Sequence, residues 1–158
     1  MADESVEFCT IGIIHTPFAS KQGTPIQGAF APQAQATVEV YPQYADGLKD
    51  LEGFSHIYLF YLFHESDGYE LHCRPYRDHI PRGVFACRAP RRPNQLGMSV
   101  VRLVKCEGNF LTVAEVDMLD GSPLLDIKPY VPNFDARENA RTGWLEKSQD
   151  RRTADGRF

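Results

Sequence analysis

Paired cysteines are missing from this sequence. Cys9, Cys73, Cys87 and Cys106 are scattered with no CxxC spacing, which points to reduced, buried thiols rather than disulfides or a zinc knuckle. His56, His64, His72, Cys73 and His79 match no standard zinc spacing, so no metal is expected. Long apolar runs are missing too: HIYLFYLF, residues 56–63, is short and carries His and Tyr. The opening MADESVEF lacks a basic and then apolar leader, so a cytoplasmic protein with no membrane partner is expected. No GxGxxG follows a strand-like run, which removes the dinucleotide-binding fingerprint and any sign of a doubly wound α/β sheet. A basic excess is also absent. The formal net charge is -4, which argues against a surface that coats RNA.

What is present suffices for one core. Of 158 residues, 42% are hydrophobic and 11% aromatic, and no repeat, low-complexity block or linker divides the chain. VEFCTIGIIH (6–15), ATVEVY (36–41), HIYLFYLFH (56–64), GVFACRA (83–89), MSVVRLVKC (98–106) and FLTVAEVDM (110–118) are rich in Val, Ile, Phe, Tyr and Thr, and several alternate. They read as six strands, the last two joined as a hairpin through Glu107-Gly108-Asn109. One short helix is expected over 46–51 and a second between 135 and 147, near the single Trp, Trp144. The expected fold is mainly β, an antiparallel barrel or sandwich in a single domain.

Charge is unevenly spread. Residues 1–87 hold five Lys/Arg against eleven Asp/Glu, 88–136 hold six of each, and 137–158 hold six against four. Arg88, Arg91, Arg92 and Arg102 have no acidic residue between them, so a local positive patch can coexist with an acidic body. Three of these lie in GVFACRAPRRPNQLG, residues 83–97, where Pro90, Pro93, Asn94 and Gly97 break regular structure behind a short apolar run. Such a loop can position arginines for a polar ligand, or can be a basic surface turn. DMLDGSPLLDIKPY, residues 117–130, turns at Asp120-Gly121 and sets Asp117, Asp120, Asp126, Lys128 and Tyr130 around Leu124, Leu125 and Ile127. Those carboxylates need partners, either in a site or in an Asp–Lys network that pins the turn.

Together with LEGFSHIYLFYLFH (51–64), IGIIHTPF (11–18), TPIQG (24–28) and the extension of the second segment to DMLDGSPLLDIKPYVPNFD, these motifs resemble the TsaA/TrmO-type S-adenosylmethionine-dependent tRNA methyltransferases. The likeness runs in order over 11–146, leaving 1–10 as an extension and 147–158 as a basic tail. Cys87 and Ser122 stand where Thr is usual, and Gln95 where a second Pro is usual. The resemblance implies a small antiparallel barrel that forms a homodimer, with S-adenosyl-L-methionine bound near the subunit interface and methyl transfer to N6 of threonylcarbamoyladenosine beside the tRNA anticodon.

The resemblance also carries site expectations. The cofactor wall is expected at Pro25, Ile26, Gln27, His64, Glu65, Arg88, Met98, Met118, Leu119, Asp120 and Gly121, with Arg88 on the cofactor carboxylate or an RNA phosphate and Asp120 accepting from ribose or amino groups. Asp126 or Tyr130 is expected to take the substrate proton while Lys128 polarises the modification. The anticodon loop would meet Arg91, Arg92, Arg102, Arg137, Arg141 and Lys147. Two other readings stay open: a methyltransferase for a small molecule or protein, and a non-catalytic S-adenosylmethionine-binding module.

Overall fold

The clearest alternation in the chain becomes β3 (His56–Leu62), where Ile57, Leu59 and Tyr61 are buried and His56, Tyr58 and Phe60 are half-buried. Successive strand side chains point to opposite faces, so one face of β3 enters a core and the other turns outward. The computed structural model, which describes residues 4–148 and 152–155, surrounds that core with six antiparallel strands. β1 (Gly12–His15), β2 (Gln35–Val40), β6 (Leu96–Glu107), β7 (Phe110–Ala114) and β8 (Ser122–Pro129) join β3 in the order β1-β2-β7-β6-β3-β8, and β8 pairs back onto β1 to close the barrel. β4 (His72–Cys73) and β5 (Arg82–Gly83) form a separate ribbon. The fold is mainly β, a small closed antiparallel barrel in a single domain.

Closure depends on β6 and β8. β6 is 12 residues long and serves two neighbours in turn, pairing β3 from Leu96 to Arg102 and β7 from Arg102 to Glu107. The expected hairpin forms: Glu107 pairs Phe110, and Gly108 takes a φ of 59° that an L side chain would resist. β8 pairs Tyr61 with Leu124 and Phe60 with Asp126, so the ladder shifts by one residue between them. That bulge lets Leu124 and Ile127, three apart in sequence, both pack on the core, while Asp126 and Lys128 share the outward side of Phe60 and Tyr58.

Several sequence expectations are corrected. GVFACRA is not a barrel strand: only Arg82–Gly83 pairs, with β4, and Val84–Ala86 is a 3-10 turn in which Val84 is buried and Phe85 is 76% exposed. The place it was expected to fill belongs to β8, whose alternation is masked in sequence by Pro123, the bulge and Pro129. Of VEFCTIGIIH only Gly12–His15 is strand: β2 ends at Val40 opposite Gly12 and β8 continues along β3, with Ile11 making the last backbone bonds, its N–H to Leu124 O and its carbonyl from the Tyr41 N–H. FLTVAEVDM stops pairing at Ala114, where Glu115 turns to a φ of 65°. The expected helices are 3-10 turns at Pro42–Leu48, Leu51–Gly53 and Gly143–Lys147, beside a single α turn at Pro132–Asp135. No helix among the described residues is long and apolar enough to cross a membrane.

Leu59 is fully buried in the barrel core. Leu59→Ala should lower unfolding free energy by about 2–5 kcal/mol, whereas Leu71→Ala, at a position 58% exposed, should change it by roughly 0.5 kcal/mol or less. Urea denaturation of the two variants checks the contrast.

Candidate functional site

One end of the barrel opens into a cavity of about 880 Å³, within the size range that holds a nucleoside-sized ligand. Its floor is the end of β3 at Tyr61, the start of β6 from Leu96 to Met98, and the connection that carries Asp117, Met118 and Leu119 into β8. Loops from elsewhere in the chain complete the wall, including Pro25, Ile26 and Gln27, then His64 and Glu65, and the arginine loop with Arg88 and Arg92. Of the expected cofactor wall, only Asp120 and Gly121 are not among the lining residues. Asp120 instead pins the connection: its Oδ1 accepts the Thr16 N–H at 3.0 Å, and its own N–H donates to Phe18 O at 2.8 Å. Gly121, at a φ of 79°, packs near His64 Nε2.

At the floor lies a chain of polar groups. Ser99 Oγ donates to Asp117 Oδ1 at 2.5 Å, and the Gly28 N–H donates to Asp117 Oδ2 at 3.1 Å. With its proton committed to Asp117, Ser99 accepts from the buried Tyr61 hydroxyl at 3.0 Å. Both close approaches need glycine: a Cβ at Gly97 would overlap the Tyr61 ring, and one at Gly28 would overlap the Glu115 carbonyl. Asp117 as a residue keeps partial exposure, yet its carboxylate is enclosed. Burial pushes its pKa up to about 6, against the opposing pull of the Ser99 and Gly28 hydrogen bonds and of Arg88. Burial, then Asp117, drives the Tyr61 phenol well above its usual range. Arg88 Nη1 donates to Gln27 Oε1 at 2.9 Å, which ties the arginine loop to the opposite wall.

Asp126, Lys128 and Tyr130 do not line the cavity. They stand outside the barrel, where Asp126 and Lys128 pair at 2.9 Å and Tyr130 leans on Tyr58 with ring centroids 5.7 Å apart. Arg88 acts electrostatically on both regions, its charge opposing the upward pKa shifts of Tyr58 on the outer face and of Asp117. Of the expected RNA contacts, Arg92 is in the cavity wall, but its Nη1 donates to the carbonyls of Cys87 and Ala89. Arg91 faces Glu70 at 3.6 Å, Arg102 pairs across from His56 on β6, and Arg137 donates to the Phe134 and Ala136 carbonyls. Arg141 and Lys147 are exposed.

Part of the expected basic tail takes another place. Ile26 N–H donates to Arg152 O, and Ala154 exchanges backbone bonds with Gly23 and Thr24, so residues 152–155 run along 23–26 and Ala154 joins the cavity wall. Residues 149–151 and 156–158 of that tail lie outside the described residues. Tyr61, Ser99 and Phe85 are site residues that sequence reasoning passed over, and Asp117, read there as a carboxylate in need of partners, was not assigned to the cofactor wall. The available signal was a carboxylate next to the apolar run that ends β7, but Phe85 read as strand core.

Residues 13–136 match the tRNA-methyltransferase O N-terminal domain. The chain belongs to the TrmO family. A probable S-adenosyl-L-methionine-binding protein of Pyrococcus abyssi is 54% identical over 151 residues, covering 94% of this chain and 82% of that protein. A mouse tRNA (adenine(37)-N6)-methyltransferase is 35% identical over 136 residues, covering 82% of this chain and 32% of the mouse protein. The crystal structure of TrmO from Pseudomonas aeruginosa aligns with a TM-score of 0.76 at 40% identity, over 89% of this chain and 63% of that one. The chain thus spans about a third of the mouse relative and under two thirds of the Pseudomonas one.

The cavity offers an apolar wall at Ile26, Met118 and Leu119, a cation in the Arg88 guanidinium and an anion in the Asp117 carboxylate, a combination that fits S-adenosyl-L-methionine. Asp117 also makes a prediction about the protein without ligand. Its folded pKa of about 6 lies above the ordinary 3.8, so the folded state holds a proton that the unfolded state has released. Stability from this group is therefore full below pH 3.8 and is lost as pH rises through about 6. Relative to the unsubstituted protein, Asp117→Asn should gain on the order of 2–3 kcal/mol between pH 4 and pH 7.5. Urea titrations of both at the two pH values check this.

Proposed function

We propose that this chain is an S-adenosylmethionine-dependent tRNA (adenine-N6)-methyltransferase, acting in the cytoplasm on threonylcarbamoyladenosine beside the anticodon. The observation that carries the reading is a cavity, built largely from the segment matching the tRNA-methyltransferase O domain, whose mostly apolar lining carries a cation (Arg88) and an enclosed carboxylate (Asp117) among its polar groups. Bound S-adenosyl-L-methionine supplies a sulfonium-activated methyl group. Arg88 holds the cofactor carboxylate, with Gln27 fixing the guanidinium, and Pro25, Ile26 and Leu119 frame the adenine. Displacement at a methyl group needs in-line placement more than covalent help, so a rigid wall contributes chiefly by orientation.

The substrate enters where the cavity meets the outer face at Arg88. Phe85, exposed at the rim, stacks the splayed base. Arg91 and Arg92 lie in the same loop, and they meet the loop phosphates with Arg102, Arg137, Arg141 and Lys147. Lys128 polarises the threonylcarbamoyl group, Asp126 holds Lys128 through their 2.9 Å pair, and Tyr130 relays the N6 proton. A second copy covers the partly apolar outer surface around Phe60, Leu62, Leu96 and Met98, which adjoins the cavity through Met98 and Leu96, and the assembly is a homodimer. The Pyrococcus abyssi relative is named only for binding S-adenosyl-L-methionine, which favours a non-catalytic binding module as the second reading.

Incubation with labelled S-adenosyl-L-methionine and bulk tRNA, followed by nucleoside mass analysis, separates the two. A methylated threonylcarbamoyladenosine is expected. Cofactor binding with no methylated tRNA nucleoside would overturn the RNA reading and leave the binding module. Phe85→Ala should lower kcat/KM for tRNA by about 5- to 150-fold, the range of one lost base stack, with cofactor affinity and melting unchanged. Alanine at Asp126, Lys128 or Tyr130 should abolish turnover at unchanged melting temperature; loss of folding instead would assign these residues to the barrel wall.

A further inference from the structure

The Asp117 carboxylate poses a question that its hydrogen bonds do not answer. Both oxygens are held by neutral donors, the Ser99 hydroxyl and the Gly28 N–H. An asparagine could keep both contacts, its oxygen accepting from Gly28 and its amide donating to Ser99 Oγ, which would free the Ser99 proton for Tyr61. Hydrogen bonding therefore does not require the negative charge, and burying that charge is unfavourable.

Nothing on the wall balances it by contact. Among the described residues no Lys, Arg or His forms an ion pair with Asp117. Tyr61 from β3 and Ser99 from β6 face it as neutral groups, and Arg88 acts only from a distance, its Nη1 on Gln27. The other ionisable groups of the wall are Lys21, His64, Glu65, Tyr76, Arg77, Cys87 and Arg92. Three of these are directed elsewhere: Lys21 onto the Glu65 carbonyl, Arg92 onto Cys87 and Ala89, and Arg77 over the Phe30 ring. The site thus carries an enclosed negative charge beside an open cavity.

We propose that Asp117 is a specificity-determining residue that makes the cavity prefer a sulfonium donor over the neutral thioether left after methyl transfer. This rests on the methyl-donor reading of the cavity. An enclosed carboxylate attracts a cation strongly because little water screens it, and, with the α-ammonium group common to both ligands, it gives this gain to the sulfonium and not to the neutral thioether sulfur. The preference expels product: once the methyl group has left, the charge that held the donor has gone. It is also linked to protons. With a pKa of about 6 in the free protein, Asp117 is mostly protonated at pH 5, and a bound cation draws it into the ionised form.

The test is calorimetric binding of S-adenosyl-L-methionine and S-adenosyl-L-homocysteine from pH 5 to 7.5, in two buffers of different ionisation enthalpy. The ratio of the two affinities, homocysteine Kd over methionine Kd, should rise about 10-fold across that range, one pH unit below the pKa being a factor of about ten. Near pH 6 only the sulfonium ligand should release a proton. His64→Gln should keep this pH dependence, and Asp117→Asn should lose it, with the ratio fixed near its low-pH value. A ratio that does not move with pH in the unsubstituted protein, or moves equally in Asp117→Asn, overturns the proposal while leaving the donor site intact. If Asp117→Asn does not fold, the unsubstituted and His64→Gln series decide alone, because a dependence that vanishes in His64→Gln belongs to His64. Failure of both ligands to bind at any pH overturns the donor reading itself.

Discussion

Insertion of β8 between β1 and β3 is the constraint on which the rest of the molecule depends. Without it the sheet would end on two open edges, and Leu124 and Ile127 would have no core to enter. The bulge between the Leu124 and Asp126 pairings gives this strand two jobs. It keeps apolar residues inward on both sides of an irregular step, and it turns Asp126 and Lys128 to the exterior beside the tyrosines. The strand's entry point is equally constrained, since the connection from Asp117 to Gly121 is tied to Thr16 and Phe18 before β8 begins. Barrel closure and cavity floor are thus one piece of structure.

The cavity follows from how a small barrel ends. Inside, the volume is filled by Val, Ile and Leu; at the open end the loops must supply both a cover and the polar chemistry. They do so with contacts that span the mouth. Arg88 reaches Gln27, Trp144 Nε1 donates to the Ala86 carbonyl at 2.8 Å, and residues 152–155 lie along the 23–26 segment. Two glycines make room where side chains would collide, under the Tyr61 ring and against the Glu115 carbonyl. The outcome is a site in which the Arg88 guanidinium and the enclosed Asp117 carboxylate are held apart rather than paired. Opposite charges kept out of contact leave each free for a ligand group, which a salt bridge between them would not.

Much of this was legible in the residues, for identifiable reasons. β3 and the β6–β7 hairpin were read correctly because alternation and a Gly turn are local signals. The family motifs drew attention to segments far apart in sequence, and the fold brings most of their expected cofactor residues to one wall. β8 was missed because two prolines, a bulge and outward charges hide its period of two, and 83–89 was misread because β propensity says nothing about whether a partner edge is free. Phe85 shows the limit most plainly: its side chain type argued for a core, and its surroundings put it on the rim.

The sequence by itself determined a mainly β single domain, its family, and the segments that carry the chemistry, because strand periodicity, turn residues and motif order are properties of neighbours along the chain. Only the tertiary structure decided which carboxylate is enclosed. Asp117, Asp120 and Asp126 are equivalent in type and close in sequence, yet one meets the cavity, one clips a loop and one lies outside the barrel. That sorting comes from β1, β3 and β6, which are distant in sequence and meet this segment only when the barrel closes.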